Sequence, residues 1–383
     1  MPGTPTPLKL CIATKAELAR TETFIRTHIE RLPFTVHQFY GSPPHTDSRV
    51  GHVLGVSRWR RLVATLRGTS PLDDEATRVE MMASYLRRER FDAVLAEYGQ
   101  VGGEMTAACT SASIPLIVHF HGNDAHNHAT MKQWRELYVR FFREATALVG
   151  VSRPMCDELV RQGAPAAKVR YIPYWVDTAQ FHAAAPAVAP PHFLAVGRFV
   201  EKKAPHLTLL AFAQVVQELP AARLIFIGDG PLYGPCQHLA RHLGLTDRVD
   251  FLGAQNHAVV GETMRRVRAL VQHSLQALDG DCEGMPLAIT EAQASGLPVV
   301  ATRHAGIVDT VVEGTTGYLV DEQDVAGMAA GMLAVGRDPQ LAATLGRAGR
   351  ERILTAFSRA QTLDRLAELI TQAAAGSIPA IPW

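Results

Sequence analysis

Short apolar runs alternate with stretches of helical periodicity along the whole chain, and that alternation predicts its elements. Residues 8–14 read as a buried strand, 16–31 as a helix and 34–40 as a second strand, with a loop at 41–46 around Pro43 and Pro44. Residues 57–68 read as a short basic helix with one exposed aromatic, Trp59, beside Arg58, Arg60 and Arg61. Helices are predicted over 74–90, 104–113, 131–144 and 154–162. Between them lie strands at 91–97, 114–120, 145–151 and 168–172. Residues 181–191, rich in Ala and Pro and without periodicity, read as a linker.

After the linker the pattern restarts, with strands at 192–196, 224–227, 249–252 and 269–273 and helices at 205–218, 232–243 and 257–266. A helix opened by Pro286 and stopped by Gly296 leads to a strand at 299–302. Residues 317–320 form a last strand, and 325–383 are largely helical, ending in a Pro-rich tail. Strands that are apolar throughout and separated by helices belong to doubly wound parallel sheets, an α/β class. Two such domains are expected, at 1–180 and 192–355, with 356–383 packing back towards the first. Sheets of this kind bind ligands at the carboxyl ends of their strands.

Composition narrows the class without naming a chemistry. The chain has 383 residues, 47% hydrophobic and 20% charged, as expected of a soluble globular protein of about two domains. It shows no apolar run of about 18 residues and no signal-peptide pattern, so a cytoplasmic place is expected. Five scattered cysteines, never in CxxC spacing, argue against a disulfide framework or structural zinc. The net charge of +1 conceals an asymmetry: residues 1–175 carry 22 Lys and Arg against 17 Asp and Glu, the remainder 16 against 20. A modestly basic first half with Trp59 among arginines suits either a peripheral lipid contact or an ordinary solvated surface; no nucleic-acid partner is expected.

Candidate chemistry falls in four loops, each following a predicted strand. In Gly197-Arg198-Phe199-Val200-Glu201-Lys202-Lys203 a glycine turn brings Arg198 and Lys203 where two cations would face a diphosphate, although solvated charge explains such a stretch equally well. The second loop, Ile227-Gly228-Asp229-Gly230-Pro231 with Gly234, is near the dinucleotide fingerprint and supports a rival reading as an NAD-dependent oxidoreductase, its acidic partner Asp247 or Asp250. The third, residues 119–128, holds four histidines and Asp124. No cysteine or glutamate completes a metal set there, which favours a sugar-facing hydrogen-bonding loop built on His121 and Asp124. In the fourth, Glu283 and Glu291 flank a helix start. If the chain between them is mostly helical they lie roughly 12 Å apart, the reach of a sugar, a diphosphate and a ribose, with the N–H groups of Gly284, Met285 and Leu287 around Pro286 between them. Asp279-Gly280-Asp281 also has a metal-binding form, but the two cations offset the same charge and no metal is expected.

These residues, taken with Gly296-Leu297-Pro298-Val299, residues 314–320, His121-Gly122-Asn123-Asp124, Val151-Ser152, Ile172-Pro173 and Val176-Asp177, resemble the retaining GT-B glycosyltransferases of family 4. The resemblance covers nearly the whole chain, most strongly 192–322. It implies a GT-B fold of two Rossmann-like domains, the first binding an acceptor, and a nucleotide sugar as co-substrate with no other cofactor. By the same resemblance Arg198 and Lys203 hold the diphosphate, Glu283 meets the hydroxyls of the transferred sugar, and Gly197, Gly228, Gly284, Met285, Pro286 and Leu287 belong to the same donor site. Glu291 would hold the ribose, and His121 would lie near the sugar. Catalysis would rest on Glu283, His121, Arg198 and Lys203. Ala204 stands where a glycine often follows the lysine, and Ala305-Gly306-Ile307-Val308-Asp309 replaces the usual Gly-Gly-Ile-Pro-Glu. Thr21-Glu22-Thr23-Phe24-Ile25 is similar to transferases of bacterial surface and exopolysaccharide assembly, which favours a lipid-linked acceptor at the inner membrane face.

The expected function is therefore transfer of a hexose or hexosamine from a nucleotide sugar to a glycan, lipid-linked or small hydroxylated acceptor with retention. A nucleotide-sugar epimerase or hydrolase on the same plan, or a donor-binding protein without turnover, are the alternatives. The first would need further acid/base carboxylates.

Overall fold

The computed structural model describes residues 7–17, 22–53, 74–182 and 184–379. The chain divides into two compact units, residues 1–173 with 362–383, and residues 174–361.

The first unit is built on an eight-stranded sheet. Its strands are β1 (Lys9–Thr14), β2 (Thr35–Gly41), β3 (Pro44–Asp47), β4 (Gly51–His52), β5 (Ala93–Glu97), β6 (Leu116–Phe120), β7 (Ala147–Gly150) and β8 (Val169–Tyr171), in the order β4-β3-β2-β1-β5-β6-β7-β8. β1 pairs in parallel with both β2 and β5, and Leu10, Cys11, Ile12 and Ala13 are almost wholly buried, as a central strand covered on both faces requires. The expected loop at 41–46 is instead the turn into β3, which runs antiparallel to β2 across an irregularity at Tyr40/Gly41. The helices are α1 (Thr23–Arg31), α2 (Glu75–Glu89), α3 (Gly99–Ala112), α4 (Asn123–His126), α5 (His128–Glu144) and α6 (Arg153–Arg161). The basic helix expected over 57–68 lies outside the described residues, as does part of the stretch between β1 and α1.

α3 starts well before the expected position near Glu104. A Cβ on Gly99 would meet Tyr138 Oη at 2.3 Å, and one on Gly102 would meet Val118 Cγ1 at 2.6 Å. The glycines that look like a break in the pattern are what let the helix lie against β6 and α5.

The second unit holds a six-stranded, all-parallel sheet of β9 (His192–Val196), β10 (Arg223–Ile227), β11 (Val249–Phe251), β12 (Ala269–Gln272), β13 (Val299–Thr302) and β14 (Gly317–Val320), ordered β11-β10-β9-β12-β13-β14. Its helices are α7 (Pro205–Glu218), α8 (Tyr233–His242), α9 (His257–Met264), α10 (Leu287–Ser295), α11 (Ile307–Thr310), α12 (Val325–Arg337) and α13 (Pro339–Ala356). The strand order reverses between β9 and β12, so the loops after those two strands open beside each other.

The segment expected as a linker is part of this unit. Phe181 is buried, Ala184 N donates to Ser295 O at 2.8 Å, and Arg268 Nε donates to Ala189 O at 3.2 Å. The contact boundary accordingly falls at 173/174, and the return to the first unit at 361/362 rather than 356. There α14 (Leu363–Ala374) buries Leu363, Leu366, Leu369 and Ile370 against β5 and β6. Among the described residues no helix is long and apolar enough to cross a membrane.

Candidate functional site

Two glycine turns set the floor of the site in the second unit. Gly197 follows β9 and Gly228 follows β10, with φ of 157° and 143°. A Cβ on Gly228 would stand 1.9 Å from Gly197 O, so the two loops approach as only glycine permits. Gly230 packs in the same way on the backbone of Phe199. Loop packing thus accounts for the first two glycines of the G-x-G-x-x-x-G pattern, and Asp250, one of the two acids of the oxidoreductase reading, is paired with Arg223 at 3.0 Å.

The close approach carries Arg198 and Lys203 to the rim. Residues Glu201–Lys203 form one 3-10 turn, ended by Ala204 in the left-handed region (φ 37°) before Pro205 opens α7. Gly197, Arg198, Lys203, Thr208 and Gln272 line a common recess. Lys203 Nζ lies 3.2 Å from Glu283 Oε2, so the lysine and the glutamate singled out in the sequence meet. Burial pulls the Lys203 ammonium down from its usual range, with Glu283 opposing the shift. At Glu283 burial works against the charge, but Lys203 and Lys202 outweigh it and hold the carboxyl below its usual range.

Lys202 does a second job that sequence reasoning missed. Its Nζ donates to Asp281 Oδ1 and to Cys282 O, both at 3.0 Å, and fastens the loop that presents Glu283. The Asp-Gly-Asp motif is thereby used up: Asp281 N donates to Asp279 Oδ1 at 2.9 Å, and Asp281 takes the lysine. Its sequence signal was the pair of adjacent lysines facing alternate acids.

α10 begins at Leu287 with Pro286 as the residue before it, so residues 283–286 are not helical and the spacing of Glu283 from Glu291 is not a helical rise. Gly284, Met285 and Pro286 are buried and Leu287 is half-buried; Met285 Sδ accepts from Tyr174 N at 3.3 Å. Glu291 sits on α10 with His257 Nδ1 3.6 Å away, and burial pushes its carboxyl up to about 7. Gly296 (φ 89°) ends the helix as expected.

The first unit carries its own cluster at the ends of β5 and β6. Glu97, wholly buried, accepts from His28 Nδ1 at 2.7 Å and His121 Nε2 at 2.8 Å, with His119 Nδ1 at 3.6 Å. The histidines outweigh burial and hold its carboxyl far below the usual range. Phe24 and Tyr98 pack on the His121 ring at 4.4 and 4.7 Å. Asp124 is also fully buried: Oδ1 accepts from His121 N and Gly122 N and Oδ2 from Gly99 N, each at 2.9 Å. It ties the loop to the start of α3 through these amides, and residues 123–126 are helical instead of loose. A glutamate does stand beside these histidines, because Glu97 arrives from the neighbouring strand β5. His28, Glu97 and His119 offer ligand atoms within 4.8 Å of one another. The two oxygens of Glu97 are engaged by His28 and His121, so hydrogen bonds account for those two contacts. Glu97 ends an apolar strand, which is a legible signal; His28, on a helix, gives none.

Two doubly wound units, each with its polar cluster at the carboxyl ends of parallel strands, define the GT-B class. The model for "Glycosyl transferase 4-like domain" matches residues 26–175 and that for "Glycosyl transferases group 1" residues 177–352, and the chain belongs to this family. WcaL of Salmonella typhimurium LT2, named for colanic acid biosynthesis, is 29% identical over 66% of this chain and 63% of its own length. The amylovoran biosynthesis glycosyltransferase AmsK of Erwinia amylovora is 27% identical over 67% of this chain and 64% of its own. The chain thus spans a little under two thirds of these relatives. Among solved structures, Anabaena HepE in complex with UDP and glucose superposes with a TM-score of 0.71 at 17% identity, over 96% of this chain and all of that one.

Proposed function

We propose that the protein transfers a hexose or N-acetylhexosamine, with retention, from a nucleotide sugar to a glycan, lipid-linked or small hydroxylated acceptor in polysaccharide assembly. The observation that carries this reading is the 3.2 Å pair of Lys203 and Glu283 at the ends of β9 and β12, beside exposed Arg198. A diphosphate leaving group gathers negative charge as the glycosidic bond breaks, and preorganised cations stabilise that charge where it develops. Arg198 offers a planar fork and Lys203 a point charge, and displacing Lys203 towards phosphate frees Glu283 for sugar hydroxyls. Glu291 takes the ribose, and His121, oriented by Glu97, has the sugar-side role that the family resemblance gives it. The relatives named for colanic acid and amylovoran biosynthesis and the UDP and glucose in the HepE structure favour a nucleotide-sugar donor and a surface-glycan acceptor. The work would be done in the cytoplasm or at the inner membrane face, without a metal.

The test is a panel of UDP-, GDP- and ADP-sugars, each incubated with EDTA and followed by release of the nucleoside diphosphate. One donor class should be turned over slowly without acceptor. Release only after Mn²⁺ is added overturns the metal-free part, and no release or nucleotide binding with any donor overturns the assignment.

A further inference from the structure

Behind Glu283 lies a second layer that the donor reading does not use. Three consecutive strands of the sheet, β12, β13 and β14, each send one acidic or imidazole side chain to the same point: Glu283 after β12, His304 after β13 and Glu322 after β14. Glu283 N donates to His304 Nε2 at 3.2 Å. On the other side of the ring, His304 Nδ1 lies 2.5 Å from Glu322 Oε1. Glu322 Oε2 accepts from Gln276 N at 3.0 Å, and His304 N donates to Thr302 O at 2.8 Å, so both partners are pinned by backbone as well. The imidazole is only 3% exposed.

The pattern admits one proton arrangement. A backbone amide can only donate, so Nε2 must be the unprotonated nitrogen, and the single proton of the ring sits on Nδ1, given to the Glu322 carboxylate. We propose that His304 and Glu322 are positioning residues for Glu283, and that they hold it in place only while the imidazole is neutral. This deepens the proposed transferase function and rests on Glu283 acting at the sugar. A proton added at Nε2 sets N–H against N–H, removes the acceptor from the Glu283 amide, and places a third cation beside a carboxylate already held by Lys203. Glu283 then loses the orientation that the donor sugar needs.

The other groups facing this point do not reproduce the behaviour. Lys202 and Lys203 face it from the loop after β9, and Asp281 and Cys282 from the same loop as Glu283. Burial pushes the Cys282 thiol up to about 12, so it stays protonated. His273, at the end of β12 with Glu322 and Asp324 acting on it, accepts from Gln323 N at 2.9 Å, and burial pushes it down to about 4. Glu291 titrates near 7, but its reading is nucleotide affinity rather than sugar transfer.

The experiment compares turnover against pH for wild type, His304→Ala, His304→Gln and Glu322→Gln, with nucleoside diphosphate affinity measured at each pH. His304→Ala should lose about 100-fold in turnover, the scale of a misplaced reacting group, while nucleoside diphosphate affinity stays at the wild-type level. His304→Gln keeps an acceptor at the Nε2 position and cannot titrate, so it should restore most of the rate and abolish the acid limb. Glu322→Gln removes the charged acceptor of the Nδ1 proton and should lower turnover while nucleoside diphosphate affinity stays at the wild-type level. Wild-type turnover in His304→Ala, or an unchanged acid limb in His304→Gln, overturns the proposal. Histidine-selective ¹⁵N NMR of the full chain supplies a readout independent of substrate: the Nδ1–H tautomer supports it and an Nε2–H tautomer overturns it. If instead no nucleoside diphosphate binds at all, the transferase reading fails while the tautomer still decides the role of His304.

Discussion

Glu291 shows how one side chain can be set against its own fold. Burial alone raises its carboxyl from the usual 4.5 to about 7, and among the described residues the ion-pair partner near it, His257 Nδ1, stands 3.6 Å away. The folded chain therefore holds a proton that the unfolded chain gives up near 4.5. Its contribution to stability is fully present below 4.5 and is lost as pH rises through about 7. Glu291→Gln keeps the shape and removes the titration. The variant should melt above wild type at pH 8 and match it near pH 4, as read by thermal unfolding across pH, and a difference that does not change with pH would contradict the burial argument. If Glu291 grips the ribose, the same change should weaken nucleoside diphosphate binding about tenfold, the worth of a hydrogen bond to a charged group. The meeting of Lys203 with Glu283 was legible because spacing relative to strand ends carries information in a doubly wound fold. The pairing of Glu97 with His28, and of His304 with Glu322, was not, since each joins residues on different elements whose meeting depends on strand order.

At the scale of elements, the pattern worked where side chains alone decide and failed where backbones touch. α7 begins at Pro205 and β13 spans Val299–Thr302, as their apolar periodicity and flanking prolines predict. α3 was placed too late because propensity counts glycine as a breaker, whereas here Gly99 and Gly102 lie in the helix against Tyr138 and Val118. The two views give opposite signs for Gly102→Ala. Propensity alone predicts a gain of about 1 kcal/mol for alanine in a helix interior. A Cβ 2.6 Å from one Val118 methyl and 2.7 Å from the other must push α3 off β6, an overpacking cost of about 1–3 kcal/mol. Gly102→Ala should therefore lower the denaturation midpoint of the first unit, and a raised midpoint would show that the helix shifts without cost. The loop at 279–286 failed differently: its acids read as a helix start or a metal motif, but Lys202 takes Asp281 and ties the loop down.

Across the whole molecule, the doubling of one plan was readable from the recurrence of strand and helix signals, and the family models divide the chain at nearly the same place as its contacts, 175/177 against 173/174. What composition did not reveal is that the Ala- and Pro-rich stretch before β9 is held by the second unit, because carbonyls that accept Arg268 and Arg350 leave no trace in periodicity. The chain also crosses between units twice, and the second crossing makes the first unit discontinuous. α14 buries Leu363, Leu366, Leu369 and Ile370 in that unit. At about 1.5–3 kcal/mol for each such side chain this is an upper bound on the order of 10 kcal/mol, comparable with the whole stability of a typical domain. A chain ending at residue 361 should therefore lose the first unit selectively. Calorimetry should show one transition in place of two or a merged one, with proteolytic cuts gathering in residues 1–173 while residues 174–361 stay protected. Equal loss in both units would mean that their folding is coupled through more than α14, and undiminished stability would mean that the helix only covers a sheet already stable without it.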